Sequence, residues 1–306
     1  MNRDILISIC ILTYNHEDYI EECLESIFNQ NKKYEIEVLI SDDSSTDSTV
    51  EVIEKYILKN NFSLKLNVNS VNKGVIGNLI ELLKMSKGKY IAFCEGDDYW
   101  VDDMKISKQV SFLESNNAYS MVFTNRYIQS IDGEIKFDNF YKKSIYNIKD
   151  VVEGFIPGTQ TMMIRNYHSI VEYFNNYNAI YSGDRFIAYF CSLFGNLYKL
   201  DDVTATYRQT NTGVWSKFTP LEKLEKHNEL LLQFHDCLGI PTNNEILAKN
   251  YFNNSFLLFL YCLKRPLLFF DKNKMSFIFR PFIMFKKMIK WKFVFFVIKN
   301  RLSNNE

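Results

Sequence analysis

Residues 95–98 read Glu95-Gly96-Asp97-Asp98, three carboxylates gathered around one glycine. Carboxylate oxygens are hard ligands suited to Mg2+ or Mn2+, and such ions are usually shared with substrate phosphates. An isolated run of this kind is more often a solvated acidic loop, so its position in the chain decides its meaning. A second acidic pair, Asp42-Asp43, lies in the polar run Ser41-Asp42-Asp43-Ser44-Ser45-Thr46-Asp47, where capping of a following helix is the competing role. A third polar cluster is Thr13-Tyr14-Asn15. The four histidines, at 16, 168, 227 and 235, form no ligand spacing with acids.

The elements around these clusters alternate. Ile5–Leu12 is a continuous apolar run, the signature of a strand buried on both faces. Helical spacing follows over Asp18–Asn29 (Ile20, Cys23, Leu24, Ile27). Glu35–Ile40 predicts a strand, Ser48–Lys59 a helix, Leu64–Val68 a strand, Val75–Met85 a helix, Tyr90–Cys94 a strand and Asp102–Glu114 a helix. Strand–helix alternation of this kind implies βαβ units, hence an α/β fold with a mainly parallel sheet flanked by helices. Such sheets bind ligands beyond the carboxyl ends of their strands. All three polar clusters fall just after predicted strands, so they are expected to converge on one edge.

From about residue 119 the pattern changes. Tyr119–Gln129 is strand-like, Ile131-Asp132-Gly133-Glu134 is a hairpin signal, Thr159–Ile164 reads as a strand, Asp184–Phe194 as a helix and Leu197–Tyr207 as a strand. This predicts an extension that completes the site. From Pro220 the chain reads as helices.

The 306 residues are 47% apolar and 24% charged, ordinary for a globular protein with a sizeable core. Six cysteines occur without a C-x-x-C pair and several lie in apolar runs, so buried reduced thiols are expected rather than a zinc site or disulfides. The start reads as a strand rather than a signal peptide, and the apolar stretch Tyr251–Leu263 is short of the roughly 20 residues that span a bilayer. A cytoplasmic protein is expected. The zero net charge hides an asymmetry: residues 1–263 carry 25 Lys and Arg against 34 Asp and Glu, whereas residues 264–301 carry 11 bases against Asp271 alone.

Four segments in order resemble the family 2 glycosyltransferases, which have the nucleotide-sugar fold called GT-A. They are Ser8-Ile9-Cys10-Ile11-Leu12-Thr13-Tyr14-Asn15, Val38-Leu39-Ile40-Ser41-Asp42-Asp43, Asn72-Lys73-Gly74 and Gly88-Lys89-Tyr90-Ile91-Ala92-Phe93-Cys94-Glu95-Gly96-Asp97-Asp98. The resemblance covers residues 5–115, with a weaker continuation through Gly183-Asp184, Tyr207-Arg208 and Gly213-Val214-Trp215-Ser216. It implies a GT-A domain over residues 1–218, with a donor half at 1–118 and an acceptor half at 119–218, and a helical C-terminal region at 219–306. It implies transfer of a sugar, with inversion, from a nucleotide-diphosphate donor such as a UDP-sugar to a hydroxyl of a surface-glycan or lipid-linked acceptor.

The resemblance also implies roles. Tyr14 would lie against the nucleobase, with Thr13 and Asn15 beside it. Asp42 or Asp43 would hydrogen-bond the base edge, and Asn72 would belong to the donor site. Asp97 would hold Mn2+ or Mg2+, with Asp98 supporting it or capping a turn. Glu95 stands where the family carries the first Asp of Asp-x-Asp and would reach the ribose or the donor sugar. Asp184 would be the base that takes the acceptor proton. Arg208 would contact phosphate or form a structural ion pair. Relatives often carry a His two residues after this Arg, where this chain has Thr210. Trp215 would line the acceptor pocket or sit in the core.

The basic-aromatic segment 264–301 points to the surface of an anionic membrane, hence a peripheral location on its inner face. Nothing base-reading accompanies the charge, so nucleic acid is not an expected partner. Two rivals share the broad fold. A sugar-phosphate nucleotidyltransferase needs a Gly-rich loop after the first strand, which here is Thr13-Tyr14-Asn15-His16-Glu17. A non-catalytic nucleotide-sugar-binding protein would need Asp97 but not Asp184.

Overall fold

The computed structural model describes residues 6–31, 33–60, 64–175 and 182–210, together with short pieces between 218 and 230. The chain divides into two compact units, the first Met1–Val151 with Phe155–Gly213, the second Val152–Gly154 with Val214–Glu306. Trp215 and the basic segment 264–301 lie outside the described residues. In the second unit, Thr219 and Glu222 form a capping box: the Thr219 N–H and hydroxyl both donate to the Glu222 carboxylate at 2.8 Å.

The first unit is built on one sheet. The strands that open it are β1 (Leu6–Thr13), β2 (Glu35–Asp42), β3 (Lys65–Val68) and β4 (Tyr90–Glu95), separated by α1 (Ile20–Phe28), α2 (Thr49–Asn60) and α3 (Gly74–Met85). The pairings among these four strands are all parallel. After β4 come β5 (Tyr99–Trp100), α4 (Lys105–Ser115), β6 (Tyr119–Gln129), β7 (Ile135–Phe137), β8 (Ile145–Tyr146), α5 (Ile148–Val152), a 3-10 turn (Thr159–Thr161), β9 (Met163–Arg165), α6 (Ile170–Asn175), α7 (Gly183–Ser192) and β10 (Asn196–Arg208). The order across the sheet is β3-β2-β1-β4-β9-β6-β10-β5, with β7 paired to β6 and β8 to β10.

β1 forms where the apolar run predicts it, because both of its faces are covered. Ile7, Ile9 and Ile11 are fully buried on one face, and Cys10 and Leu12 are buried on the other. Each such isoleucine contributes about 1.5–3 kcal/mol by leaving water. The Ile20, Cys23, Leu24 and Ile27 stripe of α1 is buried in the same core. The chain steps from β1 out to β3 and then returns to lay β4 on the other side of β1, which opens a crevice at the carboxyl ends of β1, β2 and β4.

Several boundaries differ from the sequence reading. β2 continues through Asp42, because Ser41 and Asp42 pair with β1 on one side and β3 on the other. The predicted helix over Asp102–Glu114 starts only at Lys105. Tyr99–Trp100 is held as a strand against β10, the Val101 N–H bonds to the Thr204 carbonyl at 2.9 Å, and Asp102 receives the Met104 N–H at 2.9 Å. The strand read over Thr159–Ile164 begins as a 3-10 turn, because the Thr161 N–H and hydroxyl both fold back onto the Gly158 carbonyl, at 2.9 and 2.6 Å. Strands β5 and β8, of two residues each, are too short to carry a period.

Lys105 is fully buried, with Nζ donating to Gln109 at 2.6 Å and standing 4.7 Å above the Trp100 ring. Burial pulls its pKa down to about 7, partly offset by the Cys94 thiol and by Asp102. The unfolded chain therefore holds this proton between about pH 7 and pH 10.5 while the folded chain does not, and folding stability gains from Lys105 as pH rises through that window. Thermal melts of wild type and Lys105→Met from pH 7 to pH 10 are expected to converge, with the upward slope confined to wild type. Parallel pH profiles would refute a neutral Lys105.

Candidate active site

The pairing of the strands assembles the crevice. Thr13 lies opposite Asp42 and Leu12 opposite Glu95. The Asp43 N–H bonds to the Thr13 carbonyl at 2.9 Å and the Gly96 N–H to the Leu12 carbonyl at 2.8 Å. Three sequence regions are thereby stitched at one edge.

At the β1–β2 side, some candidates are frame and others are face. Asn15 has φ +55°, a left-handed conformation that asparagine tolerates, and its side-chain oxygen accepts the Thr46 N–H at 2.8 Å. Both Asp42 oxygens are taken by Ser45, from its N–H at 2.8 Å and its hydroxyl at 2.5 Å. Asn72 accepts the Gly74 N–H at 3.1 Å and starts α3. Thr13 is buried, its hydroxyl 3.3 Å from His16 Nδ1. Tyr14, by contrast, is 41% exposed beside Asp43.

Beyond β4 lies the acidic corner. Glu95, Asp97 and Asp98 each offer a carboxylate oxygen within 4.8 Å of the others. Asp98 is completely buried. Its Oδ1 accepts the Arg208 backbone N–H at 2.8 Å, while Oδ2 is sealed with no hydrogen-bond partner among the described residues. A buried carboxylate oxygen left this way is costly unless it is protonated or meets a cation. Burial, then Asp97 and Glu95, push the Asp98 carboxyl well above its usual range. Crowding that displaces water, then the charges of Asp97 and Asp184, push Glu95 up to about 8, with Arg126 opposing. Glu95 is only half-buried, so its shift reflects enclosing walls and neighbouring charge rather than complete sealing. Three crowded carboxyl groups, one with an orphaned oxygen, fit a divalent ion. With metal–oxygen distances of about 2.0–2.6 Å, ligand oxygens on one ion stand as far apart as these do. Gly96 makes the corner compact: a Cβ there would lie 2.8 Å from His16 Nδ1 and 2.9 Å from Thr13 Oγ1. His16 Nε2 stands 3.8 Å from Asp97 Oδ2.

Asp184 sits in the first turn of α7. Its Oδ1 accepts from the Ser182 hydroxyl at 2.5 Å and the Arg185 N–H at 2.7 Å. Its Oδ2 has no protein partner among the described residues. The charge of Asp184 is felt at Glu95, which places the first turn of α7 within electrostatic reach of the acidic corner.

Arg208 supports this corner from below. Its Nη1 donates to the Asp97 carbonyl at 2.6 Å, its Nε to Gln129 at 3.4 Å, and its Nη2 pairs with Glu22. The guanidinium is flanked by the rings of Tyr19 and Tyr99 at 4.8 and 4.9 Å. Arg208 thus forms an ion pair with Glu22.

Three residues escaped the sequence reading. Arg126 on β6 faces Glu95 and Asp98, donates to Asp138 at 2.8 Å, and fits only because residue 158 is glycine, whose Cβ would lie 2.4 Å from Nη1. A lone arginine in a strand-like run was the available signal, since such a charge needs a partner when buried. Asn69 and Asn78 join the back of Asp43, and nothing in their spacing announces it.

Comparison with known proteins follows the same lines. Residues 8–182 match the family model described as glycosyl transferase family 2. The protein WfaP of Escherichia coli, a UDP-Glc:alpha-D-GlcNAc-diphosphoundecaprenol beta-1,3-glucosyltransferase, is 41% identical over 124 residues, 40% of this chain and 47% of that one. An uncharacterized Mycobacterium bovis protein, Mb1547, is 29% identical over 219 residues, 71% of this chain and 62% of its own. The chain thus spans about half to three fifths of the length of these relatives. Among solved structures, Staphylococcus aureus TarS 1–349 in complex with UDP-GlcNAc superposes with a TM-score of 0.63 at 21% identity, covering 82% of this chain and 73% of that one. The mannosyltransferase PcManGT of Pyrobaculum calidifontis, in complex with GDP-Man and Mn2+, gives 0.55 at 14% identity over 98% and 88%.

Proposed function

The chain belongs to glycosyltransferase family 2, and from that premise we propose that it moves a sugar from a UDP-sugar to a hydroxyl of a surface-glycan or lipid-linked acceptor, with inversion at the anomeric carbon. The observation that carries this reading is the cluster of Glu95, Asp97 and Asp98 at the strand ends, with Asp184 within electrostatic reach of Glu95. Asp97 and Asp98 would hold Mn2+ or Mg2+, which supplies Lewis-acid stabilisation of the charge on a departing diphosphate. Asp98 Oδ2, buried and unpartnered, is a ready ligand atom. Glu95 turns toward the donor sugar or ribose, and Tyr14 offers its exposed ring to the base.

Asp184 Oδ2 takes the proton of the acceptor hydroxyl as that oxygen attacks the anomeric carbon. The bond to the diphosphate oxygen breaks on the opposite face and its electron pair leaves with the nucleotide. The Ser182 hydroxyl and the Arg185 N–H, both on Oδ1, fix the Asp184 carboxylate in the first turn of α7. Arg208 holds the Asp97 carbonyl and the Asp98 carboxylate in place through its own backbone and side chain.

The acceptor class is supported by WfaP, whose name gives a diphosphoundecaprenol acceptor. No described helix is long and apolar enough to cross a membrane. Peripheral attachment to an anionic membrane is proposed for segment 264–301 on its own sequence, eleven bases among many Phe, Ile and Met. The direct test is a thermal-shift screen of nucleotide sugars with and without Mn2+, because a ligand of the folded state raises its melting temperature. A UDP-sugar is expected to shift the melt only with metal. A screen without any shift would overturn the donor assignment.

A further inference from the structure

Asp43 meets the crevice with one carboxylate oxygen already committed. Its Oδ1 accepts from the Asn69 side-chain amide at 3.1 Å and from the Lys73 backbone N–H at 2.8 Å. Its Oδ2 has no protein partner among the described residues and is not one of the sealed orphan atoms. Since Ser45 occupies both oxygens of Asp42, Asp43 Oδ2 is the acceptor this acidic pair leaves open. It stands at the strand end next to Tyr14, because the Asp43 N–H is bonded to the Thr13 carbonyl.

The commitment of Oδ1 is enforced from behind. Asn69 and Asn78 are buried, 5% and 2% exposed. The Asn69 Nδ2 has two protons, one directed to Asp43 and the other to Asn78 Oδ1 at 3.0 Å. The Asn69 Oδ1 accepts from Asn67 Nδ2 at 3.1 Å. The Asn78 Nδ2 donates to the Ser41 carbonyl at 2.7 Å. An overturned Asn69 amide would set oxygen against oxygen at both Asp43 and Asn78, and nitrogen against nitrogen at Asn67. The network therefore has one satisfied arrangement, and in a buried site that arrangement is strongly preferred.

We infer that Asn69, locked by Asn78, is a specificity-determining residue that ties back one oxygen of Asp43 and so selects uracil over guanine and cytosine. This rests on the nucleotide-sugar reading above and deepens it. Uracil presents a single ring N–H, at N3, between two carbonyls, and one carboxylate oxygen satisfies it. Guanine presents two adjacent N–H groups, at N1 and N2, which match a carboxylate offering both oxygens. Cytosine presents a ring acceptor at N3, which a carboxylate oxygen repels. A site that hydrogen-bonds one pattern rejects the others because its own polar groups are left unpaired.

Calorimetric titration of the full chain with UDP, GDP and CDP in Mn2+ tests the inference. UDP is expected to bind at least about tenfold tighter than GDP or CDP, the scale of one hydrogen bond to a charged group. Asn69→Ala leaves Oδ1 held by the Lys73 N–H alone, which frees it to accept a second proton from the base, and is expected to cut the UDP-to-GDP preference by about tenfold. Asn78→Ala, which keeps the Asn69 amide but removes its lock, is expected to move the preference the same way by less, and it carries the test if Asn69→Ala does not fold. Variants that fold, even with a lowered melting temperature, but keep the wild-type preference would overturn the inference. So would a wild type that binds GDP as tightly as UDP, although the glycosyl-transfer reading would survive that result. Failure of every nucleoside diphosphate to bind would overturn both.

Discussion

Asp97→Ala is expected to eliminate the Mn2+-dependent part of donor binding and to lower sugar transfer by about three orders of magnitude. Several kcal/mol of transition-state stabilisation come from a metal at a leaving diphosphate, and each 1.4 kcal/mol is a factor of ten. The fold should tolerate the change, because Asp97 side-chain contacts are few: His16 Nε2 at 3.8 Å is the ion pair it makes, and Arg208 holds its carbonyl rather than its carboxylate. Thermal melts without nucleotide should therefore stay close to wild type, while the melt with UDP-sugar and Mn2+ should no longer rise. Undiminished UDP-sugar affinity in Mn2+ would remove Asp97 from the metal site. The parallel change at Asp98 is less clean, since its Oδ1 also anchors the Arg208 backbone.

Asp184→Asn should separate binding from chemistry. The amide oxygen can still accept from the Ser182 hydroxyl and the Arg185 N–H, so the first turn of α7 is preserved. What is lost is the capacity of the second position to take a proton. A positioned general base contributes typically 10²–10⁴-fold, and transfer is expected to fall by about that factor with donor affinity near wild type. Single-turnover transfer and UDP-sugar titration on the same preparation give both readings. Transfer at near wild-type rate would exclude Asp184 as the base. Loss of donor binding together with transfer would make it a donor ligand instead.

What could be read in advance follows the physics of each element. Strands buried on both faces leave continuous apolar runs, so β1 and β4 were legible, and with them the polar clusters that must follow. Asp42 and Asp43 looked alike as neighbours in a polar loop. Their different duties depend on Ser45 folding back in one case and on Asn69 and Lys73 arriving in the other. Asn78 lies within the predicted helix Val75–Met85 with nothing in its spacing to mark it, yet it is buried and satisfies a backbone carbonyl of β2. Arg126 passed as one residue of a strand, because the glycine that makes room for it lies 32 positions away at Gly158. The parts that stayed hidden are tertiary hydrogen bonds between residues far apart in sequence, which leave no period to detect.

The placement of β9 has a consequence for anyone who would exchange parts of this enzyme. Residues 163–165, late in the sequence, are inserted antiparallel between β4 and β6, with Ala92 facing Met163 and Val122 facing the same residue from the other side. Sequences from before and after residue 118 are thus interleaved within one continuous hydrogen-bonded ladder rather than joined at a seam. A chimera cut near residue 118 would strip β4 of its neighbour and leave an open strand edge beside the acidic corner. Retargeting this enzyme to a new donor or acceptor is better attempted through side chains at the strand ends than by transplanting either half.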